Sequence, residues 1–223
     1  MKTIRTSKTQ TPLLLTLFLV CLGTITFFTG NVLQSNSFPI DLAFYQYVTS
    51  AVSTEWLHLF ELASFFASKP AIIAISLMTI LFLWLLKKDY AGMITMVVFV
   101  MGGNVLNKAI KIWTQRERPA VNVFEDGYSF PSGHVMVGLI MYGLIVYLID
   151  RHSSHTLLKT VCFIIVTLLL LIVGVSRITT GEHYTTDVLA GYAFGGVILI
   201  MAIKTHQYIE QVTHAKQEVH TGF

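Results

Sequence analysis

PSGHVMVGLIMYGLIVYLID, residues 131–150, sets a breaker, a hydroxyl, a bare backbone and an imidazole directly before an apolar run. Between Ser132 and Ile149 no Asp, Glu, Lys or Arg occurs, and as a helix a run of that length crosses about 30 Å of hydrocarbon. The stretch predicts a membrane-spanning helix whose polar start, Pro131-Ser132-Gly133-His134, lies at one membrane face.

Five further windows of similar character surround it: Leu13 to Leu33, Pro70 to Leu86, Tyr90 to Ile110, Leu157 to Val175 and Thr186 to Ile203. Composition agrees, with 54% of the 223 residues hydrophobic and 12% charged, too apolar for an ordinary soluble domain. The expectation is an all-α polytopic bundle of six transmembrane helices. It forms one integral-membrane domain over residues 1–223, with a core at 10–205 and a polar tail at 206–223. The second window can extend back through FELASFFASKP, with Pro70 at a helix start or a kink. The first window follows a basic MKTIRTSKTQ, but no small-x-small cleavage pattern comes after it, so it reads as a retained span. Cys21 and Cys162 fall in separate spans without ligand-like spacing, and read as small apolar core residues.

Basic residues in short loops favour the cytoplasmic side. Lys2, Arg5 and Lys8 therefore place the N-terminus inside, and alternation puts Lys87-Lys88, Arg151 with Lys159, and the tail from Lys204 inside as well. Residues 34–69, 111–131 and 176–185 then face outside. The second of these breaks the rule, because KIWTQRERP carries Lys111, Arg116 and Arg118. Cations on the wrong side suit an anion bound at the outer face; snorkelling to lipid phosphates is the plainer alternative. Of the eight histidines, His152, His155, His206, His214 and His220 read as inner-side surface residues, whereas His134 and His183 stand in polar clusters at outer helix starts.

Three clusters thus share one face. In KIWTQRERP a helix carrying Asn104, Asn107 or Lys108, and Lys111 raises a polar stripe toward the surface, ending before Arg118-Pro119. In PSGH, Ser132 is a candidate N-cap, Gly133 permits close approach, and the free amides of a helix start attract phosphate. In SRITTGEHYTTD, Arg177 leaves one span and His183 precedes the next. Asp187, four residues on, can hold one ring nitrogen of His183 and leave the other as a nucleophile.

These residues resemble the signature of the type 2 phosphatidic acid phosphatase (PAP2) family: K-x6-RP, then PSGH, then SR-x5-H-x3-D. They stand here as Lys111 to Arg118-Pro119, Pro131 to His134, and Ser176-Arg177 to His183 to Asp187, with every spacing kept. Thr185 departs from the proline many relatives carry after the His-Tyr pair. The resemblance implies the six-helix fold of the PAP2/haloperoxidase type. It also implies that His183 attacks phosphorus to form a phosphohistidine, Asp187 orients it, and His134 protonates the leaving oxygen. Lys111, Arg118 and Arg177, helped by Ser132 and the Gly133 amide, would hold the other phosphate oxygens. Fixed cations can supply the charge stabilisation that phosphoryl transfer requires. No metal or other cofactor is implied, since Glu125, Asp126 and Glu182 are scattered and suit the rim of the entrance. Protonation of His134 is expected to be coupled to substrate, because a helix start disfavours the imidazolium and a polyanion favours it.

The expected partners are a lipid phosphate and the bilayer, with no nucleic acid; a homodimer is open but not indicated. The expected place is the cell membrane, with both termini cytoplasmic and the active site outside. Bacterial relatives of this kind include undecaprenyl diphosphate phosphatases and phosphatidylglycerophosphate phosphatases; outward orientation favours undecaprenyl diphosphate, and phosphatidic acid is a further alternative. A lipid or ion transporter is a second class, disfavoured because the charges cluster at span ends. A vanadate haloperoxidase is a third, disfavoured by six apolar spans. Segment 34–69 can form an interfacial lid or lie in the headgroups. Gly191 and Gly195, a G-x-x-x-G, suit close helix approach, inside the bundle or, as the lesser alternative, across a dimer.

Overall fold

A computed structural model describes residues 10–119 and 127–221. Lys2, Arg5 and Lys8, on which the orientation partly rests, lie outside these, as do Glu125 and Asp126. All regular secondary structure among the described residues is helical: α1 (Gln10–Leu33), α2 (Pro39–Ala51), α3 (Thr54–Phe65), α4 (Lys69–Phe82), α5 (Tyr90–Thr114), α6 (Gly133–His152), α7 (Thr156–Thr179) and α8 (Thr185–Thr221). Six of these helices are long and apolar enough to cross a membrane, α4 by including its terminal π-helical turn at Leu83–Lys87. The all-α, six-span expectation is met.

Helix α6 holds the centre. Met136, Ile140, Met141 and Leu144 are buried within it, and α5, α7 and α8 pack around it while α1 lies against α8. Lipid tails are as apolar as leucine, so close backbone approach rather than hydrophobic driving force must bring such helices together. Gly191 and Gly195 supply it. A Cβ at these positions would lie 3.0 Å from the Ser132 carbonyl and 2.8 Å from that of Met136, so α8 rests on the backbone of α6. Outward residues such as Leu19 and Phe27 of α1, and Ile165 and Leu168 of α7, remain exposed, as a bilayer-facing surface requires.

Segment 34–69 is two short helices rather than an extension of α4. Ser53 and Ser68 are extended residues that start new helices, and Pro70 falls in the first turn of α4, where its missing N–H has no partner to lose. Helix α5 runs four residues past the expected Ile110 and stops where Gln115 turns left-handed (φ 48°), its N–H bonded to the Lys111 carbonyl. The chain then reverses through Arg116 to Pro119. Helix α8 continues without a break through the expected core–tail boundary.

Two expectations are corrected. Cys21 and Cys162 are only partly buried, because their spans face outward over much of their girth. His206 is no surface residue: it is fully buried, with Tyr147 Oη 2.8 Å from its Nδ1 and Asp89 3.3 Å from its Nε2. His152 joins the same cluster; His155 is exposed, and His214 and His220 lie outside the described side chains.

Candidate active site

The three polar clusters converge at the end of the bundle that carries α2 and α3. The close fit begins in the backbone. Ser132 N–H donates to the Asp187 carbonyl at 3.0 Å, joining the start of α6 to that of α8, and His183 N–H donates to the Arg177 carbonyl at 3.0 Å. Asn107 of α5 donates to the Pro131 carbonyl at 3.1 Å. A Cβ on Gly133 would stand 3.0 Å from the Asn107 Oδ1, so a side chain there would crowd the Asn107 amide that holds the PSGH turn.

Between α4, α5 and the start of α6 lies a cavity of ≈ 700 Å³, lined in part by Lys69, Lys108, Lys111, Arg118, Gly133, His134 and His183. Among the described lining residues it holds no carboxylate. Its apolar wall, including Ile72, Ile73, Val100 and Met101, runs along the two spans. Positive head and greasy flank together fit an anion carried on a hydrocarbon tail.

Loop carbonyls hold two of the cations in place. Lys111 Nζ donates to the Tyr128 carbonyl at 2.8 Å; Arg118 donates to the carbonyls of Gly127 at 3.2 Å and Glu182 at 2.8 Å. Arg177 is placed differently. It is buried, pairs with Glu182 and donates to Ser64 of α3 at 3.3 Å, and it does not line the cavity as Lys111 and Arg118 do. Glu182, expected at the rim of the entrance, thus pairs with Arg177. Ser132 begins α6 but caps none of its amides; its hydroxyl is fully buried and has no hydrogen-bond partner among the described residues.

His183 and Asp187 are both buried, with Nδ1 of the ring 3.5 Å from Oδ2 of the carboxylate. That separation lets the charges interact but exceeds a strong hydrogen bond. Burial above all pushes the His183 pKa down to about 4, and Lys111 and Arg118 push the same way, against the pull of Asp187. The ring is accordingly neutral across the physiological range, as a nucleophile must be.

Arg116 takes a place that its spacing alone did not reveal. It reaches Asp187 Oδ1 at 2.5 Å and Asp41 Oδ2, on α2, at 2.7 Å. Asp41 escaped sequence reasoning altogether. The available signal was its isolation, since it is the one charged residue between Lys8 and Glu55.

Fold and site define a class first: helical membrane proteins that present a cation-lined cavity beside a buried His–Asp pair at one end of six spans. Within that class the chain belongs to the PAP2 superfamily, whose model matches residues 92–211. It is 36% identical over 124 residues to phosphatidylglycerophosphatase B of Bacillus subtilis (strain 168), an alignment that spans 53% of this chain and 59% of that relative's length. A crystal structure of a transmembrane PAP2-type phosphatidylglycerolphosphate phosphatase from Bacillus subtilis superposes with a TM-score of 0.70 and 26% identity, over 88% of this chain and 96% of that one. Aquifex aeolicus LpxE shares the fold, with a TM-score of 0.58 at 21% identity over 75% of this chain and 97% of that one.

Proposed function

We propose that this protein hydrolyses the terminal phosphate of a membrane lipid phosphate or diphosphate at the outer membrane face, through a phosphohistidine on His183. The observation that carries the proposal is the cavity in which His134 and His183 face Lys111 and Arg118 with no carboxylate in the described lining. Nδ1 of His183 faces Asp187, which leaves Nε2 to attack phosphorus. As the N–P bond forms, the P–O bond to the leaving group breaks and its electron pair stays on oxygen, where His134 delivers a proton. Water then attacks the phosphohistidine, His134 takes the proton from that water, and the P–N bond breaks to release inorganic phosphate and neutral His183. Lys111 and Arg118 stabilise the charge that develops on the non-bridging oxygens. Ser132 and Gly133 add donors from the start of α6. Arg177 joins them by exchanging Glu182 for a phosphate oxygen.

Orientation supports the outer face through the basic loops at the opposite end, Lys87-Lys88 and Arg151 with Lys159. An outward site suits undecaprenyl diphosphate, which is released on that face. Phosphatidylglycerophosphate is the second reading, favoured by the name of the Bacillus subtilis relative. Both carry two phosphorus centres, and Lys69 and Lys108 at the cavity wall give a second one a counter-charge that phosphatidic acid would leave unused.

The test is phosphate release in one detergent system, with kcat/KM compared across undecaprenyl diphosphate, phosphatidylglycerophosphate and phosphatidic acid, for wild type and His183→Ala. The expected result is highest kcat/KM on undecaprenyl diphosphate and loss of all release in His183→Ala. Equal rates in the two proteins would overturn the catalytic assignment, and preference for phosphatidic acid would overturn the substrate assignment.

A further inference from the structure

Asp187 is anchored more firmly than the histidine it faces. Its Oδ2 accepts the Tyr184 N–H at 3.0 Å and its Oδ1 accepts Arg116 Nη1 at 2.5 Å. Arg116 continues into α2, giving Nη2 to Asp41 Oδ2 at 2.7 Å, and also gives Nη1 to Thr186 Oγ1 at 2.8 Å. Thr186 closes the ring, donating its N–H to Asp41 Oδ1 at 2.8 Å and its hydroxyl to Asp41 Oδ2 at 3.0 Å. The members are shielded from solvent: side-chain exposure is 13% for Arg116, 8% for Asp41 and 0% for Asp187. The guanidinium also lies over the Tyr184 ring, 4.1 Å from its centre.

We propose that Asp41, Arg116 and Thr186 are positioning residues, a strap from α2 that fixes the Asp187 carboxylate against His183 and sets its effective charge. Helix α2 is thereby a working part of the catalytic centre. The charge argument is simple. Asp187 paired with Arg116 alone would be neutral and would do little for the cationic ring that His183 becomes on phosphorylation. Asp41 shares the guanidinium, so two carboxylates and one cation leave a net charge of −1 beside the ring. A buried network of this kind holds geometry only when every member is satisfied, and misplacing a reacting group by about 1 Å can cost about a hundredfold in rate.

The strap rests on the assignment of His183 as nucleophile, so His183→Ala is measured beside its variants. Detergent-purified Asp41→Asn, Thr186→Val, Thr186→Ser and Arg116→Gln are assayed with undecaprenyl diphosphate, with gel filtration confirming folded protein. Asp41→Asn and Thr186→Val are expected to lower kcat about ten- to a hundredfold while KM stays within about threefold, and Thr186→Ser to restore it. Arg116→Gln removes a cation that acts on His183 through Asp187. Its acid limb in kcat/KM is expected to move up by about one pH unit, against the background of Lys111, Arg118 and His134, which are unchanged. Where Arg116→Gln does not fold, the Thr186→Val and Thr186→Ser pair decides. Wild-type kcat in Asp41→Asn and Thr186→Val, or an unmoved limb in folded Arg116→Gln, overturns the strap if His183→Ala is inactive. An active His183→Ala overturns the nucleophile assignment instead.

Discussion

At the α2/α3 end of the bundle His183 stands 3.5 Å from Asp187; at the opposite end His152 and His206 stand 2.8 Å and 3.3 Å from Asp89. By distance alone the second group is the better His–carboxylate arrangement. Its surroundings give it a different task. Asp89 caps α5 through the Gly92 N–H at 2.7 Å, so one carboxylate ties the start of α5 to the end of α6 and the middle of α8, and Arg151 with Glu210 adds a further α6–α8 pair. Burial alone would raise the Asp89 pKa, but hydrogen bonds from His206, the Gly92 amide and His152 outweigh it and hold the carboxyl well below its usual range. Polar groups there satisfy one another, as structural networks do. At the α2/α3 end, by contrast, the histidine fronts a cavity of cations, and its carboxylate is held mainly by Arg116 and a backbone amide. A His–Asp contact therefore does not mark chemistry by itself; a cation-lined cavity beside it does.

Exchanging the roles of the two ends breaks this comparison most severely. His183→Ala is expected to lower kcat/KM by at least about 10⁴-fold, whereas His206→Ala, assayed on folded protein, leaves it within about threefold. Next, Arg118→Ala is expected to cost about 10²- to 10³-fold in kcat, as does loss of a donor to a charged transition state. Substituting Asp89 acts on stability instead. Asp89→Ala removes a helix cap and leaves buried His206 and half-buried His152 without their acceptor, an expected loss of about 2 kcal/mol in detergent unfolding. Because the Asp89 pKa is depressed on folding, that contribution is present above the unfolded carboxylate pKa and fades as pH falls through the folded one.

The smallest difference to measure is in pH. His183, lowered to about 4, keeps its neutral form until pH approaches that value. The acid limb of kcat/KM assigned to His183 should thus lie near pH 4, and a limb near 6.5 that persists in His134→Asn would contradict the burial account.

The spans were legible because hydropathy is a property of windows: each run announced its own helix, and only ends such as Thr114 and Thr221 shifted. The residues of the three polar clusters were legible because they stand at fixed spacing around two helix starts. Arg116 and Asp41 were not, because their meaning lies in a contact across 75 residues that no local pattern encodes. His206 was misread for the related reason that a histidine in a polar stretch looks solvated until Tyr147 and Asp89 close over it from other helices.

The central claim is covalent, so its most direct test traps the covalent species. Undecaprenyl diphosphate carrying ³²P in its terminal phosphate is mixed with wild-type and His134→Asn protein, quenched in base and digested for mapping. The account predicts base-stable, acid-labile label on the peptide containing His183, accumulating further in His134→Asn, where activation of water is impaired. Product formation without label on that peptide, or label on any other residue, would contradict it.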